Sequence, residues 1–248
     1  MRIAVIGASG LIGTKVVELL TAQGHDVVAA SRGSGADVVT GDGLAEAVAG
    51  AQVLVDVVNS PSFADDAVLA FFTASAANLV AAAKAAGVGH YVALSIVGVD
   101  GLPESGYLRA KVVQERTISE SGLPHTIVRA TQFHEFADSI TQTLQVGDEV
   151  HAPDALIQPV AAAEVSAEVA RAATAEPING TRDFGGPDKM PFADMARAVL
   201  AAKGADTPVS VDPAATYFGT PLTQNSLVTG DGATLASTHF TDWLATRA

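Results

Sequence analysis

The stretch RIAVIGASGLIGTKVVELLTAQG, residues 2–24, decides the fold class of this chain. It opens with a short apolar run, residues 2–8, of the kind that forms a buried strand. Residues 10–24 then have the composition of a helix that ends at Gly24. A strand, a glycine-rich turn and a helix in this order predict the first βα unit of an α/β sheet.

The turn of this unit is a candidate phosphate site. Glycine makes a turn tight and lets the backbone approach a ligand, and a helix N-terminus offers free N–H groups to a phosphate. The spacing GxxGxxG differs from the common dinucleotide fingerprint GxGxxG, and turn glycines are often only structural. The position after a strand and before a helix nevertheless predicts dinucleotide binding. The predicted residues are Gly7, Ser9, Gly10, Leu11, Ile12 and Gly13.

The alternation of strand and helix continues along the chain. Further strands are predicted at residues 26–32, 36–42, 51–59, 90–98 and 125–131, and helices at 43–50, 64–87 and 107–122. This pattern predicts an α/β fold with a Rossmann-type, doubly wound parallel sheet over residues 1–150. Beyond residue 150 the alternation of strands and helices becomes less regular. We expect residues 151–248 to form a small C-terminal substrate-binding lobe packed on the same core.

The composition excludes several classes of partner. The 248 residues carry a net charge of −13, so the surface repels nucleic acids and anionic lipids. The chain has no cysteine, and its six histidines lack metal-ligand spacing, so we predict no metal site. The N-terminus lacks signal-peptide features, and no apolar run reaches membrane-spanning length without a charge or a glycine. We therefore expect a cytoplasmic protein that binds no membrane.

The end of the second predicted strand indicates which dinucleotide is bound. An acidic residue at this point bonds the ribose 2′-OH of NAD, whereas an arginine accommodates the 2′-phosphate of NADP. Here the chain has Ser31 and Arg32, with no carboxylate between Asp26 and Asp37. A solvated arginine is the plain alternative. The position favours NADP(H), because a guanidinium pairs with a phosphate and a carboxylate repels it.

A tyrosine and a lysine lie one helical turn apart, at Tyr107 and Lys111. A tyrosine with a pKa near 10 is a poor acid at neutral pH, and a nearby ammonium lowers that pKa. Ser95, near the end of its predicted strand, offers a hydroxyl to a substrate oxygen on which charge develops. The three residues form a candidate catalytic set. The structural alternative is an aromatic anchor beside a solvated lysine.

These motifs, together with LSIVGVD (94–100) and TIVRATQFHEF (126–136), resemble the short-chain dehydrogenase/reductase family. The similarity is greatest to its atypical, NmrA-like branch and covers nearly the whole chain. It implies that Tyr107 transfers the proton, that Lys111 also bonds the nicotinamide ribose, and that Ser95 assists the substrate carbonyl. It further implies that Asp42 and Asn59 lie near the adenosine half of the cofactor. The loop with Thr131 and Phe133 would lie near the nicotinamide.

The sequence therefore predicts an NADPH-dependent oxidoreductase that passes a hydride between nicotinamide and a carbonyl, quinone or similar small-molecule substrate. The alternative is a non-catalytic NADP(H)-sensing regulator, because many atypical members of the family lack the Tyr or the Lys. A nucleotide-sugar epimerase or dehydratase with tightly held NAD is disfavoured by Arg32. A homodimer is left open.

Overall fold

The computed structural model describes residues 1–246. Strands of the described chain are β1 (Arg2–Ile6), β2 (Asp26–Ala30), β3 (Val53–Asp56), β4 (His90–Ile96), β5 (His125–Ala130), β6 (Gln145–Val146), β7 (Glu149–Ala152), β8 (Leu156–Ile157), β9 (Gly180–Gly185), β10 (Met190–Pro191), β11 (Val209–Val211) and β12 (Thr234–Leu235). Helices are α1 (Leu11–Ala22), α2 (Leu44–Val48), α3 (Asp65–Ala86), α4 (Gly106–Ser119), α5 (Ala137–Thr143), α6 (Ala162–Thr174), α7 (Phe192–Ala202) and α8 (Phe240–Ala245).

Seven strands form a parallel sheet in the order β12-β9-β5-β4-β3-β1-β2. The predicted Rossmann-type α/β fold is confirmed. The chain moves from β1 to β2 in one direction and then returns to place β3 on the other side of β1. In the register, Ile6 lies beside both Ala30 and Asp56, so the three strands end at one edge. Ligands of such sheets bind where the strand order reverses, at the carboxyl ends of β1 and β3.

The described chain divides into two compact units that interleave in sequence. Unit 1 comprises Met1–Ser95, Gly106–Arg129 and Val165–Arg182. Unit 2 comprises Ile96–Ser105, Ala130–Glu164 and the chain from Asp183. The assignment of cofactor binding to residues 1–150 and of substrate binding to 151–248 stays a prediction.

Unit 1 has a continuous apolar core between the sheet and its helices. Strands β1 and β3 are almost wholly buried, as their uninterrupted apolar runs require. Helix α3 contributes Phe72 and Leu79, and α4 contributes Ala110 and Ile118, all without exposed surface. Packing of this kind fixes the positions of the strand ends, and through them the side chains that follow each strand.

Unit 2 contains two small sheets and three helices. Strands β11, β7 and β6 form one sheet, and β10 pairs with β8 in the other. The fully buried Gln158 holds its loops, accepting the Thr229 N–H at 2.8 Å and donating to the Gly186 carbonyl at 2.7 Å. Phe192 and Phe240 are also fully buried. Unit 2 is therefore a well-packed body in its own right.

The predicted strand at 36–42 is wrong. These residues form turns, because the Asp37 carboxylate accepts the N–H groups of Val39 and Thr40 and so holds the backbone in a local loop. Gly41 also has a φ of 87°, which no strand residue adopts. Asp42 therefore lies in an exposed turn, where it accepts the Thr40 hydroxyl, and not at a strand end.

Helix α3 is, by length and composition, apolar enough to cross a membrane. This is weak evidence, because the core helix of a soluble protein meets the same criterion. Val68, Phe72, Leu79 and Ala83 of α3 are fully buried within unit 1. The apolar character of α3 is thus accounted for by packing. The cytoplasmic location stays a prediction.

Candidate cofactor and active site

The turn between β1 and α1 requires glycine at two positions. Gly7 has a φ of 90°, and a Cβ there would lie 2.8 Å from the Val57 carbonyl oxygen. A Cβ on Gly13 would lie 2.1 Å from the Gly7 carbonyl oxygen, so only glycine lets the helix approach the turn. The N–H groups of Gly7 and Ala8 both donate to the Ala30 carbonyl, at 2.9 and 3.1 Å. The turn is therefore pinned to β2 by its backbone.

The N-terminus of α1 is open to solvent. Helix α1 begins at Leu11, and its N-cap residue Gly10 provides no side-chain cap. Ser9, Gly10 and Leu11 are exposed. The first-turn N–H groups, which have no acceptor within the helix, thus face a space where an anion fits. Bare glycine backbone and uncapped N–H groups match the pyrophosphate of a dinucleotide.

Arg32 and Ser31 lie at the end of β2, as predicted, with Arg32 in a single 3₁₀ turn. The Ser31 N–H donates to the Ser34 hydroxyl at 2.9 Å, which closes that turn. The Arg32 side chain is 68% exposed, and its Nε lies 3.9 Å from the Asp37 carboxylate. Hydrogen bonds from two backbone N–H groups hold the pKa of Asp37 below its usual value. Sequence spacing did not anticipate a carboxylate this close to the guanidinium.

Tyr107 lies in the first turn of α4 with its hydroxyl fixed. The hydroxyl donates to Asn59 Oδ1 at 2.8 Å. The rings of Phe63 and Phe72 contact the phenol ring, with centroids 5.6 and 6.0 Å away. Burial raises the pKa of Tyr107 to about 12, and the Asn59 hydrogen bond opposes that rise. The phenol is therefore protonated across the physiological pH range.

Lys111 is buried, with 3% of its surface exposed. Its ammonium donates to the Leu94 carbonyl at 2.8 Å and to Gln114 Oε1, and it lies 4.7 Å from the centroid of the Phe72 ring. Burial lowers its pKa to about 8, against the attraction of two carboxylates, Asp56 and Glu115. The Lys111 ammonium thus forms its hydrogen bonds inside unit 1, and one of them is to Leu94 near the end of β4.

Asp56, which the sequence reasoning missed, is the counter-charge of this buried lysine. Its fully buried carboxylate accepts the Tyr91 hydroxyl at 2.9 Å and Gln114 Nε2 at 2.8 Å. Burial raises its pKa, and Lys111 is the largest of the influences that oppose the rise. The signal was present in VLVDVV (53–58), where one acidic residue interrupts an apolar strand.

The expectation that Lys111 lowers the pKa of Tyr107 is wrong. The two residues are one turn apart on α4, but the ammonium binds Leu94 and Gln114, and the phenol binds Asn59. The pKa of Tyr107 is raised, because burial is the largest influence on it. In this structure Tyr107 is accordingly a neutral phenol, and its part in proton transfer stays a prediction.

Ser95 stands near the end of β4, one residue after the carbonyl that binds Lys111. It is 3% exposed, and its hydroxyl has no hydrogen-bond partner in residues 1–246. Because β3 pairs with β4 through Asp56 and Ala93, Ser95 lies near the edge at which Asn59 follows β3. A buried, unpartnered hydroxyl is costly unless a ligand accepts its proton. The expected role of Ser95 toward a substrate oxygen stays a prediction.

Thr131 and Phe133 belong to unit 2. Thr131 is 2% exposed, and its N–H donates to the Phe184 carbonyl at 3.0 Å. Phe133 stacks on Phe136 with ring centroids 5.4 Å apart. Their expected positions near the nicotinamide, and that of Asp42 and Asn59 near the adenosine half, stay predictions. Within the described chain, no group of three or more His, Asp or Glu side chains is arranged to hold a metal ion.

The depressed pKa of Lys111 predicts how stability depends on pH. The folded protein releases this proton near pH 8, whereas the unfolded chain keeps it until about 10.5. Between these values the unfolded state binds more protons, so the free energy of unfolding should rise with pH. Urea denaturation of wild type at pH 7.5, 8.5 and 9.5 measures this rise. Lys111→Met should not show it, and a rise of equal size in the variant would contradict the assignment.

Two comparisons of sequence bear on the site. A family described as NAD(P)H-binding matches residues 7–176. A (4-alkanoyl-5-oxo-2,5-dihydrofuran-3-yl)methyl phosphate reductase of Streptomyces griseus is 31% identical over 144 residues, which are 53% of this chain and 48% of the reductase. Photosystem II assembly factor Ycf39 of Cyanophora paradoxa is 28% identical over 149 residues, 54% of this chain and 46% of the factor. The chain thus spans about half the length of these curated relatives.

Solved structures share the fold. MoeE5 in complex with UDP-glucose and NAD superposes with a TM-score of 0.75, over 99% of this chain and 97% of MoeE5, at 18% identity. At that identity the likeness concerns the fold alone. The family match shows that the chain belongs to an NAD(P)H-binding family, as the sequence motifs indicated, and the solved structures share its fold.

Proposed function

Since the chain belongs to the NAD(P)H-binding family whose model matches residues 7–176, we propose that it is an NADPH-dependent reductase of a carbonyl, quinone or similar small acceptor. The observation that carries the proposal is the Tyr107 phenol, held by Asn59 and kept protonated by burial. A protonated phenol can give a proton to an oxygen that gains electrons. The reductase among its relatives agrees with this chemistry.

Each residue of the candidate site has a separate role in the proposed reaction. A reduced nicotinamide, when bound, would supply the hydride that the carbon of the acceptor takes up. Ser95 donates a hydrogen bond to the oxygen on which negative charge develops. The Tyr107 hydroxyl then turns from Asn59 to that oxygen and transfers its proton to it, and the resulting phenolate recovers a proton from solvent. Gly7 and Gly13 leave the room for backbone N–H groups to hold the cofactor phosphates.

A second candidate is a non-catalytic protein that binds NADP(H) and reports its redox state. One observation favours it: Lys111 is engaged by Leu94 and Gln114 inside unit 1, away from the ribose role that the family resemblance gave it. One relative is an assembly factor by name. A panel of quinones, aldehydes and ketones, followed by the loss of reduced nicotinamide absorbance, separates the candidates. Oxidation of NADPH by at least one acceptor is expected. Tight NADPH binding with no oxidation would support the sensor.

The preference for NADPH rests on Arg32. Its exposed guanidinium lies at the end of β2, where the 2′-phosphate of NADP(H) is expected. The Asp37 carboxylate, 3.9 Å away, weakens the attraction of Arg32 for that phosphate but leaves the side chain exposed to bind it. A charge-assisted hydrogen bond contributes about 1.5–3 kcal/mol, so Arg32→Ala should weaken NADPH binding roughly 10- to 160-fold. NADH binding should change little, and added salt should reduce the preference of wild type.

Titration calorimetry with NADPH and NADH measures both affinities. Arg116→Ala is the matched control, because Arg116 is an exposed arginine on α4 that pairs with Glu120. It should leave both affinities unchanged. Equal affinities of wild type for the two cofactors would contradict the proposed preference.

A further inference from the structure

Phe63 exposes a large aromatic ring beside Tyr107. It is 69% exposed, and its ring centroid lies 5.6 Å from that of the phenol ring. Phe72, which also contacts Tyr107, has no exposed surface. The core of unit 1 therefore covers the ring of Phe72, whereas most of the surface of Phe63 faces outward.

The loop that carries Phe63 is held in place on both sides of this residue. Before it, the Ser60 hydroxyl donates to the Ser62 carbonyl at 2.8 Å. After it, the Asp65 carboxylate accepts Arg109 Nη2 of α4 at 2.9 Å. An aromatic side chain on a loop that is already ordered loses little conformational entropy when a ligand covers it.

The same loop packs directly on the start of α4. A Cβ built on Gly106, the first residue of α4, would lie 2.0 Å from Asp65 Oδ1, so the carboxylate lies against the backbone of this helix. Tyr107 is the next residue of α4. The position of Phe63 beside the phenol thus depends on contacts between the two segments as well as on the contact between the two rings.

Phe63 follows β3 at the edge of the sheet where ligands bind. β3 ends at Asp56, and the strand order reverses between β1 and β3. Asn59, in the same loop, is exposed and accepts the Tyr107 hydroxyl. A single exposed apolar side chain is ordinary on a protein surface. An aromatic surface next to a few polar groups is instead typical of a site for a small molecule.

We propose that Phe63 is a substrate-binding residue of this site and that its ring selects acceptors with a flat conjugated ring over open-chain carbonyls. The inference rests on the proposed function and names its substrate class. A flat ring can stack on the exposed surface of Phe63, and such aromatic pairs are favourable beyond the apolar area that they bury. An open-chain aldehyde has no ring to stack and covers less of this surface.

Reduction of a flat acceptor is a two-electron reaction in this proposal. A quinone takes up one hydride from NADPH and one proton, and the products are the hydroquinone and NADP⁺. Phe63 takes no part in these transfers. Its role is to bind the ring of the acceptor, so it should act on KM for the acceptor more than on kcat.

Steady-state kinetics of Phe63→Ala with 1,4-naphthoquinone and with hexanal test the inference. We expect the KM for naphthoquinone to rise about 10-fold or more, because the variant loses the stacking and part of the buried apolar area. The KM for hexanal and the kcat with each acceptor should remain within about three-fold of wild type, and the KM for NADPH within about two-fold.

Two further variants make the test specific. Phe63→Trp retains a flat ring and should retain the low KM for naphthoquinone. Ile178→Ala is the matched control, because Ile178 is another exposed apolar residue of unit 1. Its N–H donates to Thr126 Oγ1 at the start of β5, which is the opposite edge of the parallel sheet. Ile178→Ala should leave the KM for both acceptors unchanged.

Other results would overturn the inference. Equal losses with naphthoquinone and hexanal would mean that Phe63 only supports the Tyr107 ring, which would slow every reduction alike. An unchanged KM for naphthoquinone in Phe63→Ala, or a wild type that reduces hexanal and not naphthoquinone, would overturn it and leave the proposed function in place. A wild type that binds NADPH but reduces no acceptor overturns both together. Circular dichroism of each variant verifies that it is folded.

Discussion

Replacing Lys111 with methionine is expected to lower the free energy of unfolding by about 1–3 kcal/mol, the usual cost of leaving buried acceptors without their donor, because Leu94 O and Gln114 Oε1 both lose the ammonium. The Asp56 carboxylate has no exposed surface, and in the variant it would keep only neutral donors, among them Tyr91 and Gln114. The Leu94 carbonyl would also lose the donor that holds it at 2.8 Å. Urea denaturation at pH 7 measures the loss.

Two further variants make this test specific. Lys84→Met removes an exposed lysine from the last turn of α3 and should change stability by less than about 0.5 kcal/mol. Combining Lys111→Met with Asp56→Asn removes both charges and should recover part of the stability, since a neutral pair needs no counter-charge. If Lys111→Met is no less stable than Lys84→Met, the buried pair does not support unit 1.

The sequence predicted the parts of the fold that depend on local pattern. β1, the glycine turn and α1 were predictable because a buried strand and an amphipathic helix have different periodicities, and because glycine marks a tight turn. The strand at 36–42 was mispredicted because its apolar residues Val38 and Val39 outweighed the turn chemistry of Asp37. A side-chain acceptor that captures nearby N–H groups overrides β propensity over so short a segment.

From the sequence it was possible to predict which residues of the candidate site follow each strand. Helical spacing correctly put Tyr107 and Lys111 one turn apart, but spacing does not reveal how deep a side chain lies. The buried Lys111 is under the electrostatic influence of Asp56, a residue 55 positions earlier on β3, and Tyr107 is bound by Asn59, 48 positions away. Pairings over such distances depend on how β3 and α4 come together. Local sequence patterns do not reveal these long-range pairings.

The replacement of Tyr107 by phenylalanine should leave the protein folded and nearly inactive. It removes one hydroxyl and retains the ring that Phe63 and Phe72 contact, so packing survives. The Asn59 oxygen keeps the Ser60 N–H as a donor, which limits the cost to stability to about 1 kcal/mol. Turnover should fall about 10²–10⁴-fold, the usual contribution of a positioned general acid.

The pH dependence of turnover adds a second expectation for this residue. Because burial raises the pKa of Tyr107 to about 12, the phenol remains a proton donor throughout the range in which the protein is assayed. Turnover of wild type should therefore show no loss between pH 7 and 9 that is due to ionisation of this phenol. Lys111 loses its proton near pH 8, so a change of rate there would report the buried pair instead.

The most direct test of the account is the steady-state turnover of wild type and Tyr107→Phe with one active acceptor, together with an NADPH titration of each. The account predicts that Tyr107→Phe binds NADPH within about two-fold of wild type and loses at least about 100-fold in kcat. A Tyr107→Phe variant that turns over as fast as wild type would contradict it, because the phenol would then be only a packing group.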